Sequence, residues 1–372
     1  MSLRRFLYLV ADDCVERCYS LRRIDMSRFF FKAPSEGTPT PLDSSGGAGA
    51  ADPLAIEDSG CLPDPTLSLD TPQLEQGSSL MDFMLFKGKG HDGESLKVVT
   101  MDHTGRAVMC DPCSLPPTVI DLPTVTPKFV PFSLTVGSSL YIMDAFNDPP
   151  SGCQRHSFEV LSYGYSHSHS RLFKEWYWRS LPPPPCVYEP PDPLHFIDSY
   201  SVVAGTDILV SNKAKHTYRF DTVKGTWRKA GDWAMPFSFL AQYVPEHKLW
   251  FGLSKGNGYS FLAADLMPPS DSEEMGPPVV LSSWKEYVQP PPEWSLVESH
   301  AVHLGSSKFC IIRFFHVGKL CVCPNRKTYK EDQELQVLLT GVQVEGCGQE
   351  LRVLKHKSER YKLGIENYYW VL

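Results

Sequence analysis

The chain has 372 residues, 42% of them hydrophobic, enough for one large domain or two ordinary ones around a sizeable core. Its 36 basic and 43 acidic residues give a formal net charge of −7, without the basic excess that a generic nucleic-acid binder uses to displace phosphate counterions. No apolar stretch approaches the roughly 20 residues of a membrane helix, so neither nucleic acid nor membrane is expected as a partner.

The N-terminal run at 6–11 is apolar but short, and Asp12 and Asp13 end it. No small-residue cleavage site follows, so it does not read as a secretory signal, and the chain is expected to be intracellular, cytoplasmic or nuclear. The stretch "FLYLVADDCVERCYSLRRID" (6–25) instead alternates on both sides of a polar turn. Residues 1–32 are therefore expected to supply N-terminal strands. Residues 33–80 differ in kind. They hold eight of the acids, no Lys or Arg and no aromatic residue, and are rich in Gly, Pro and Ser. Such a segment buries too little apolar surface to offset its ordering entropy, and it is expected to be a disordered insertion.

From residue 81 onward one rhythm recurs. "SLKVVTMDHTGRAVMCD" (95–111), "FSLTVGSSLYIMD" (132–144), "SYSVVAGTDILVS" (199–211), "LAQYVPEHKLWFGLS" (240–254) and "SHAVHLGSSKFCIIRFF" (299–315) each alternate apolar and polar residues around a turn. That is the pattern of a hairpin. A second unit follows several of them: an aromatic pair at i and i+2, an Asp, a polar turn and a Trp. In "HTYRFDTVKGTWRKAGDW" (216–233), Tyr218 and Phe220 are expected on one face, Gly225 in a left-handed turn and Trp227 on the neighbouring strand. Tyr259, Phe261, Asp265 and Trp284 repeat it, as do His156, Phe158 and Val160 with Trp176 and Trp178, and more faintly Tyr19, Leu21 and Asp25. Proline runs at 182–185 and 290–292 close units.

Four strands per unit at intervals of about 35–70 residues predict an all-β fold, a single β-propeller. Units near 83–125, 132–180, 198–234, 239–295 and 299–345 make five blades. A sixth joins the N-terminal strands to "LRVLKHKSERYKL" (351–363), closing the ring; seven blades is the alternative. Residues 81–372 form the remainder of the propeller. Trp227 is expected between blades, so that Trp227→Ala costs about 3–5 kcal/mol.

The stretches "RRFLYLV" (4–10), "YSLRRID" (19–25), "WYWRSLPPPP" (176–185), "WRKAGDWAMPF" (227–237), "YVPEHKLWFGLS" (243–254), "HLGSSKFCIIRFF" (303–315) and "LRVLKHKSERY" (351–361) resemble a plant family, abundant in grasses, of kelch-like propeller proteins assigned to a domain of unknown function. The resemblance implies a kelch-like propeller and a plant source, and no activity. The double glycine of kelch repeats is reduced here to the single Gly137 and Gly205.

Candidate chemistry is sparse. His167 and His169 are spaced to share one strand face and ligate a metal with a third residue, but Ser and Tyr surround them as in a solvated loop. His300 and His303 are expected on opposite faces of one strand. Cys110 and Cys113 form a lone CxxC, Cys14/Cys18 and Cys321/Cys323 are irregular pairs, and a second CxxC to complete a zinc site is lacking. Asp12 with Asp13, and Glu273 with Glu274, read as solvated surface. No nucleophile elbow, H-E-x-x-H or phosphate-binding loop occurs. The expectation is a monomeric, non-enzymatic protein–protein interaction scaffold with an unknown protein partner, no cofactor and no assigned site residue. The alternative is a metal-dependent or small-ligand enzyme using the central channel.

Overall fold

The computed structural model describes residues 4–13, 17–30, 40–41, 56–70, 81–90, 93–128, 130–145, 158–165, 173–188, 196–255, 259–267, 275–285, 294–318, 320–322, 328–330, 334–346, 350–364 and 369–372. The chain begins with β1 (Phe6–Asp13), β2 (Cys18–Asp25), a single helical turn α1 (Ser27–Phe30) and the short strands β3 (Thr40–Pro41), β4 (Glu57–Cys61) and β5 (Pro65–Asp70). Three four-strand runs follow: β6 (Met81–Gly90), β7 (Gly93–Asp102), β8 (Ala107–Asp111) and β9 (Thr118–Leu122); β10 (Pro131–Val136), β11 (Ser139–Asp144), β12 (Phe158–Gly164) and β13 (Glu175–Ser180); then β14 (Ile197–Val203), β15 (Asp207–Asn212), β16 (Thr217–Asp221) and β17 (Thr226–Gly231). Next come β18 (Phe237–Val244), β19 (Leu249–Ser254), β20 (Phe261–Asp265) and β21 (Val279–Trp284), then β22 (Trp294–Gly305), β23 (Lys308–Val317), β24 (Leu320–Val322), β25 (Thr328–Lys330), β26 (Glu334–Glu345), β27 (Arg352–Gly364) and β28 (Tyr369–Val371).

The fold is all-β. Sheets run in the orders β6-β7-β8-β9, β10-β11-β12-β13 and β17-β16-β15-β14, the last joined through a parallel β14–β18 pairing to β18-β19-β20-β21. β22-β23-β26-β27 form another, extended at its outer edge by β3 and β4, while β24 and β25 pair apart. The remaining sheet, β28-β1-β2-β5, unites the two ends of the described chain. All six expected hairpins are present, from β1–β2 to β22–β23.

Two expectations are corrected. Residues 351–363 do not close onto the N-terminal strands. Residues 352–363 lie in β27, the antiparallel partner of β26 across a turn at Gly346 (φ +90°). The pairing with β1 comes instead from β28, with Leu9 opposite Val371 and Ala11 opposite Tyr369. Within 33–80, residues 57–61 and 65–70 are strands rather than irregular chain. In β5, Leu67 and Leu69 alternate onto the apolar cluster of Tyr19 and Leu21 and so gain the burial that their polar surroundings lack. The rest of that segment, apart from 40–41, 56 and 62–64, lies outside the described residues.

Period-two alternation distributes the core. In β1, Leu7 and Leu9 face a cluster with Ile312 and Phe314 of β23, while Tyr8 and Val10 face one with Phe83 of β6 and Val98 of β7. In β23, Phe309 and Ile311 point the other way, to Phe251 and Phe261. Strands covered on both faces read as continuous apolar runs, and β15 is buried at every residue. Among the described residues, six apolar clusters pack the four-strand units against one another.

The aromatic unit of 216–233 is packing of this kind. Tyr218 and Phe220 are buried on one face of β16, and Trp227 lies opposite Phe220 on β17. Its ring packs 4.9 Å from Phe220 and 5.6 Å from Phe158 of the preceding sheet. Gly225 has φ +69°, the left-handed step the turn requires. The Trp227 Nε1–H donates to the Pro182 carbonyl (2.7 Å), and the Trp178 Nε1–H donates to that of Pro123 (3.0 Å). In these two sheets an outer-strand indole thus ties the sheet to the proline connection leaving the previous one. Trp227 is half-buried, so Trp227→Ala is now expected to cost about 2–3 kcal/mol, and Trp227→Phe, which loses chiefly the hydrogen bond, about 1 kcal/mol. Equal midpoints for wild type and Trp227→Ala in urea denaturation would show that the contact contributes nothing.

Candidate functional site: the central cavity

The inner strands β6, β10, β14, β18, β22 and β28 surround one cavity of about 980 Å³. A specific contact joins each neighbouring pair. The Thr135 hydroxyl of β10 accepts from the Lys87 amide of β6 (3.2 Å). Phe132 of β10 stacks on Tyr200 of β14 at 4.2 Å. β14 and β18 pair through their main chains, reinforced by the Ser201 hydroxyl donating to the Ala241 carbonyl (2.8 Å). The Gln242 amide of β18 imitates a peptide group: its Nε2 donates to the Ala301 carbonyl (2.7 Å) and its Oε1 accepts from the His303 amide (3.0 Å), both on β22. Arg4 spans from β22 to the C-terminal end of β28. Its amide donates to the Leu304 carbonyl (2.5 Å), and its guanidinium donates to the Leu372 (2.5 Å) and Phe6 (2.8 Å) carbonyls. The Trp370 indole of β28 hydrogen-bonds the Asp82 carboxyl of β6.

The charged groups of the wall are displaced from their ordinary states. Burial, with Asp144 adding repulsion, pushes the Asp82 carboxyl up to about 7 against the opposing Trp370 hydrogen bond. Burial brings His303 down to about 4, with Lys87 contributing, so it is neutral at pH 7. Arg4 is drawn down to about 10 by burial and stays charged. Burial opposes ionisation of Glu298, but the His300 imidazole 3.2 Å away outweighs it and holds the carboxyl below its usual range. Tyr200 is raised by burial and by the nearby Glu298.

Four large apolar side chains remain exposed at this cavity: Val130, Phe239, Tyr243 and Met267. Phe239 sits in an irregularity of β18, between Ser238 opposite Leu253 and Gln242 opposite Phe251. Its φ is +60° and the residue is 39% exposed. A left-handed conformation costs a bulky L-residue about 1–2 kcal/mol.

His300 and His303 do lie on opposite faces. The His300 ring meets Phe314 edge-on at 6.0 Å, and the His303 ring packs on Phe309 at 4.8 Å, residues of two different clusters. Both line the cavity. Cys110 is buried in β8, its thiol pushed up to about 11 by burial, whereas Cys113 is exposed with Sγ 3.1 Å from the Tyr8 hydroxyl. Asp12 is buried on the Tyr8–Val10 face rather than solvated, a correction that follows from its parity in β1. His167, His169, Cys14, Cys323, Glu273 and Glu274 lie outside the described residues. Among the described residues no three His, Cys, Asp or Glu side chains gather as a metal site, and no helix is long and apolar enough to cross a membrane.

Arg4, Asp82, Phe239, Gln242 and Glu298 were not singled out by sequence. They come from four separate stretches of the chain, Phe239 and Gln242 sharing β18, and form no local motif. The one available signal is at Phe239: "FSFLAQYV" places Phe239 and Leu240 side by side, a break in alternation that marks the bulge.

A family model described as "Protein of unknown function (DUF1668)" matches residues 4–361. No curated protein matches the sequence. Among solved structures, the chain is similar to the β-propeller domain of Cps50 (Swd1) from Myceliophteria thermophila, with 9% identity, 78% of this chain and 86% of that chain covered, and a TM-score of 0.38. It is also similar to the WD40 domain of SCAP from fission yeast, with 11% identity, 82% and 70% covered, and a TM-score of 0.32. BamB from Moraxella catarrhalis matches at 11% identity, 73% and 84% covered, and a TM-score of 0.29. At such scores the weight rests on the strand order itself.

Proposed function

The chain belongs to the DUF1668 family of proteins of unknown function, and on that premise we propose that it is a single six-bladed, kelch-like β-propeller serving as a non-enzymatic protein-interaction scaffold. Six blades and a ring closed by β28 against β1 are supported by the apolar clusters between successive sheets and by the contacts that join neighbouring inner strands. The cavity is then the propeller axis. The observation that carries the scaffold reading is Phe239, an aromatic held at a costly backbone angle with its ring left open beside Tyr243 and Met267. Strain retained at an exposed apolar position is a mark of a contact surface.

The test is a photo-crosslinking amino acid placed at position 239 and, as control, at Val223, which is 81% exposed on an outer turn. Discrete protein adducts are expected from position 239, suppressed by excess unlabelled chain and weak from position 223. Equal labelling from both positions would end this reading.

The cavity volume also favours a second reading, a small ligand on the axis, since it falls within the range of small-molecule sites. Native mass spectrometry of chain purified from its natural host would then show a stoichiometric adduct, lost on narrowing the cavity by Val130→Trp, a position that lines it and is exposed to it.

A further inference from the structure

The outer edge of β27 combines charge and open hydrogen bonding in a way the cavity does not use. β27 reads "RVLKHKSERYKLG", with Arg352, Lys355, Lys357, Arg360 and Lys362 against a single acid, Glu359. That acid is buried and already compensated. Arg28 Nη2 lies 2.6 Å from one of its oxygens, Lys357 Nζ lies 3.0 Å from the other, and the Tyr361 hydroxyl donates to it (2.5 Å). The edge therefore presents net positive charge along an extended backbone. Arg360 is held in place, with its guanidinium over the Trp294 ring at 5.5 Å.

A strand from the acidic segment occupies this edge. β4 runs parallel to β27, with Glu57 opposite Glu359, Asp58 opposite Arg360 and Cys61 opposite Lys362. Lys357 Nζ reaches Glu57 (2.6 Å), and Arg360 pairs with Asp58. The like charges Glu57 and Glu359 are bridged by that one lysine. Yet Glu57, Asp58, Ser59 and Cys61 are all exposed, and the strand buries no large side chain. Its attachment is main-chain pairing, surface ion pairs that are individually weak and screened by salt, a hydrogen bond between Ser59 and Tyr361, and the half-buried Leu62 just beyond its end. By contrast, β5 on the same segment is fixed by Leu67 and Leu69. A strand seated chiefly by backbone and charge, with one half-buried leucine at its end, is one that another strand of the same chemistry replaces at modest cost.

We propose that the outer edge of β27 is a docking edge for an extended acidic segment of a partner protein, and that β4 is its internal occupant, displaced on binding. The proposal rests on the scaffold reading above and names the chemistry of one partner segment: adjacent carboxylates on an extended backbone, placed to meet Lys357 and Arg360. The bulge between Arg360 and Lys362 shifts the register there, and the pairing ends just beyond it at Lys362.

The probe is a fluorescein-labelled synthetic peptide of residues 54–62 carrying Cys61→Ser. It is titrated by fluorescence anisotropy into the full chain and into the full chain carrying Glu57→Lys and Asp58→Lys, which repels β4 from the edge. Removing a tethered competitor of roughly millimolar effective concentration is expected to tighten binding about tenfold or more. The affinity should fall several-fold between about 50 and about 300 mM salt, and should vanish when Lys357→Glu and Arg360→Glu are added. If the charge-reversed chain melts early, Glu57→Gln with Asp58→Asn serves the same purpose. No saturable binding to either released variant at low salt would overturn the proposal, as would equal binding of a peptide carrying Glu57→Lys and Asp58→Lys. Adducts at position 239 together with no peptide binding would remove this edge and leave the scaffold reading standing; the reverse result would remove the Phe239 surface alone.

Discussion

Replacing Lys128 by methionine is expected to destabilise the protein by about 3–5 kcal/mol, the range for breaking a buried ion pair on one side. Lys128 lies between β9 and β10, in the connection that carries the chain from one sheet to the next. It is buried, its Nζ 2.5 Å from Glu159 Oε2 on β12 and 2.8 Å from the Thr126 carbonyl. Glu159 is buried too and accepts from the Thr126 amide and hydroxyl, each at 3.2 Å. Deleting the ammonium leaves a carboxylate desolvated with only those two hydrogen bonds to compensate it. Attraction between the partners is not the main issue, because their joint desolvation offsets most of it. The double variant Lys128→Met/Glu159→Leu should therefore recover most of the loss, short by about 1 kcal/mol for the Thr126 donors. Urea denaturation of the two single variants and the double variant closes the cycle. If Lys128→Met falls within about 1 kcal/mol of wild type, water reaches the pair and the connection is looser than its contacts indicate.

Lys128 also shows where sequence reading stopped. The hairpins were legible because alternation is a property of neighbours, and β10–β11 or β14–β15 announce themselves within about a dozen residues. The Trp227 and Trp178 indoles were legible as packing because the unit repeats. Their hydrogen bonds to Pro182 and Pro123 were not, since nothing local says which carbonyl an indole will meet. The C-terminal partner of the N-terminal strands was expected at 351–363, as a strand that would cover their edge, whereas that partner is the three residues of β28, too few to display a period. Leu67 and Leu69 were hidden by the Gly, Pro and Ser around them. The cavity was the least legible part. Arg4, Asp82, Gln242 and Glu298 are separated by up to about 300 residues in the chain and acquire their roles only when inner strands converge.

Changing Asp82 to asparagine is expected to stabilise the protein at pH 8 and to do nothing at pH 4. An aspartate titrates near 3.9 in an unfolded chain, but in the fold burial and the Asp144 charge bring Asp82 up to about 7. The folded state therefore binds this proton more tightly than the unfolded state. Stability from Asp82 is fully present below about pH 4, declines as pH rises through the interval to about 7, and is flat beyond it. Three pK units correspond to about 4 kcal/mol; water in the open cavity screens the charge, and about 2 kcal/mol is the expected difference. Asparagine keeps an oxygen for the Trp370 indole and removes the ionisation. The check is denaturation at a series of pH values: Asp82→Asn should flatten the fall between pH 4 and 7, and Asp144→Asn, which removes one neighbouring charge, should shift it to lower pH. An unchanged profile in Asp82→Asn would place the titrating group elsewhere. The location gives the effect its meaning. Asp82 and Trp370 join β6 to β28, the contact between the first full sheet and the last strand of the chain. An ionisable group at that contact makes its strength depend on pH near neutrality, while Gln242 at the β18–β22 contact and Thr135 at the β6–β10 contact, being neutral, hold equally at all pH values.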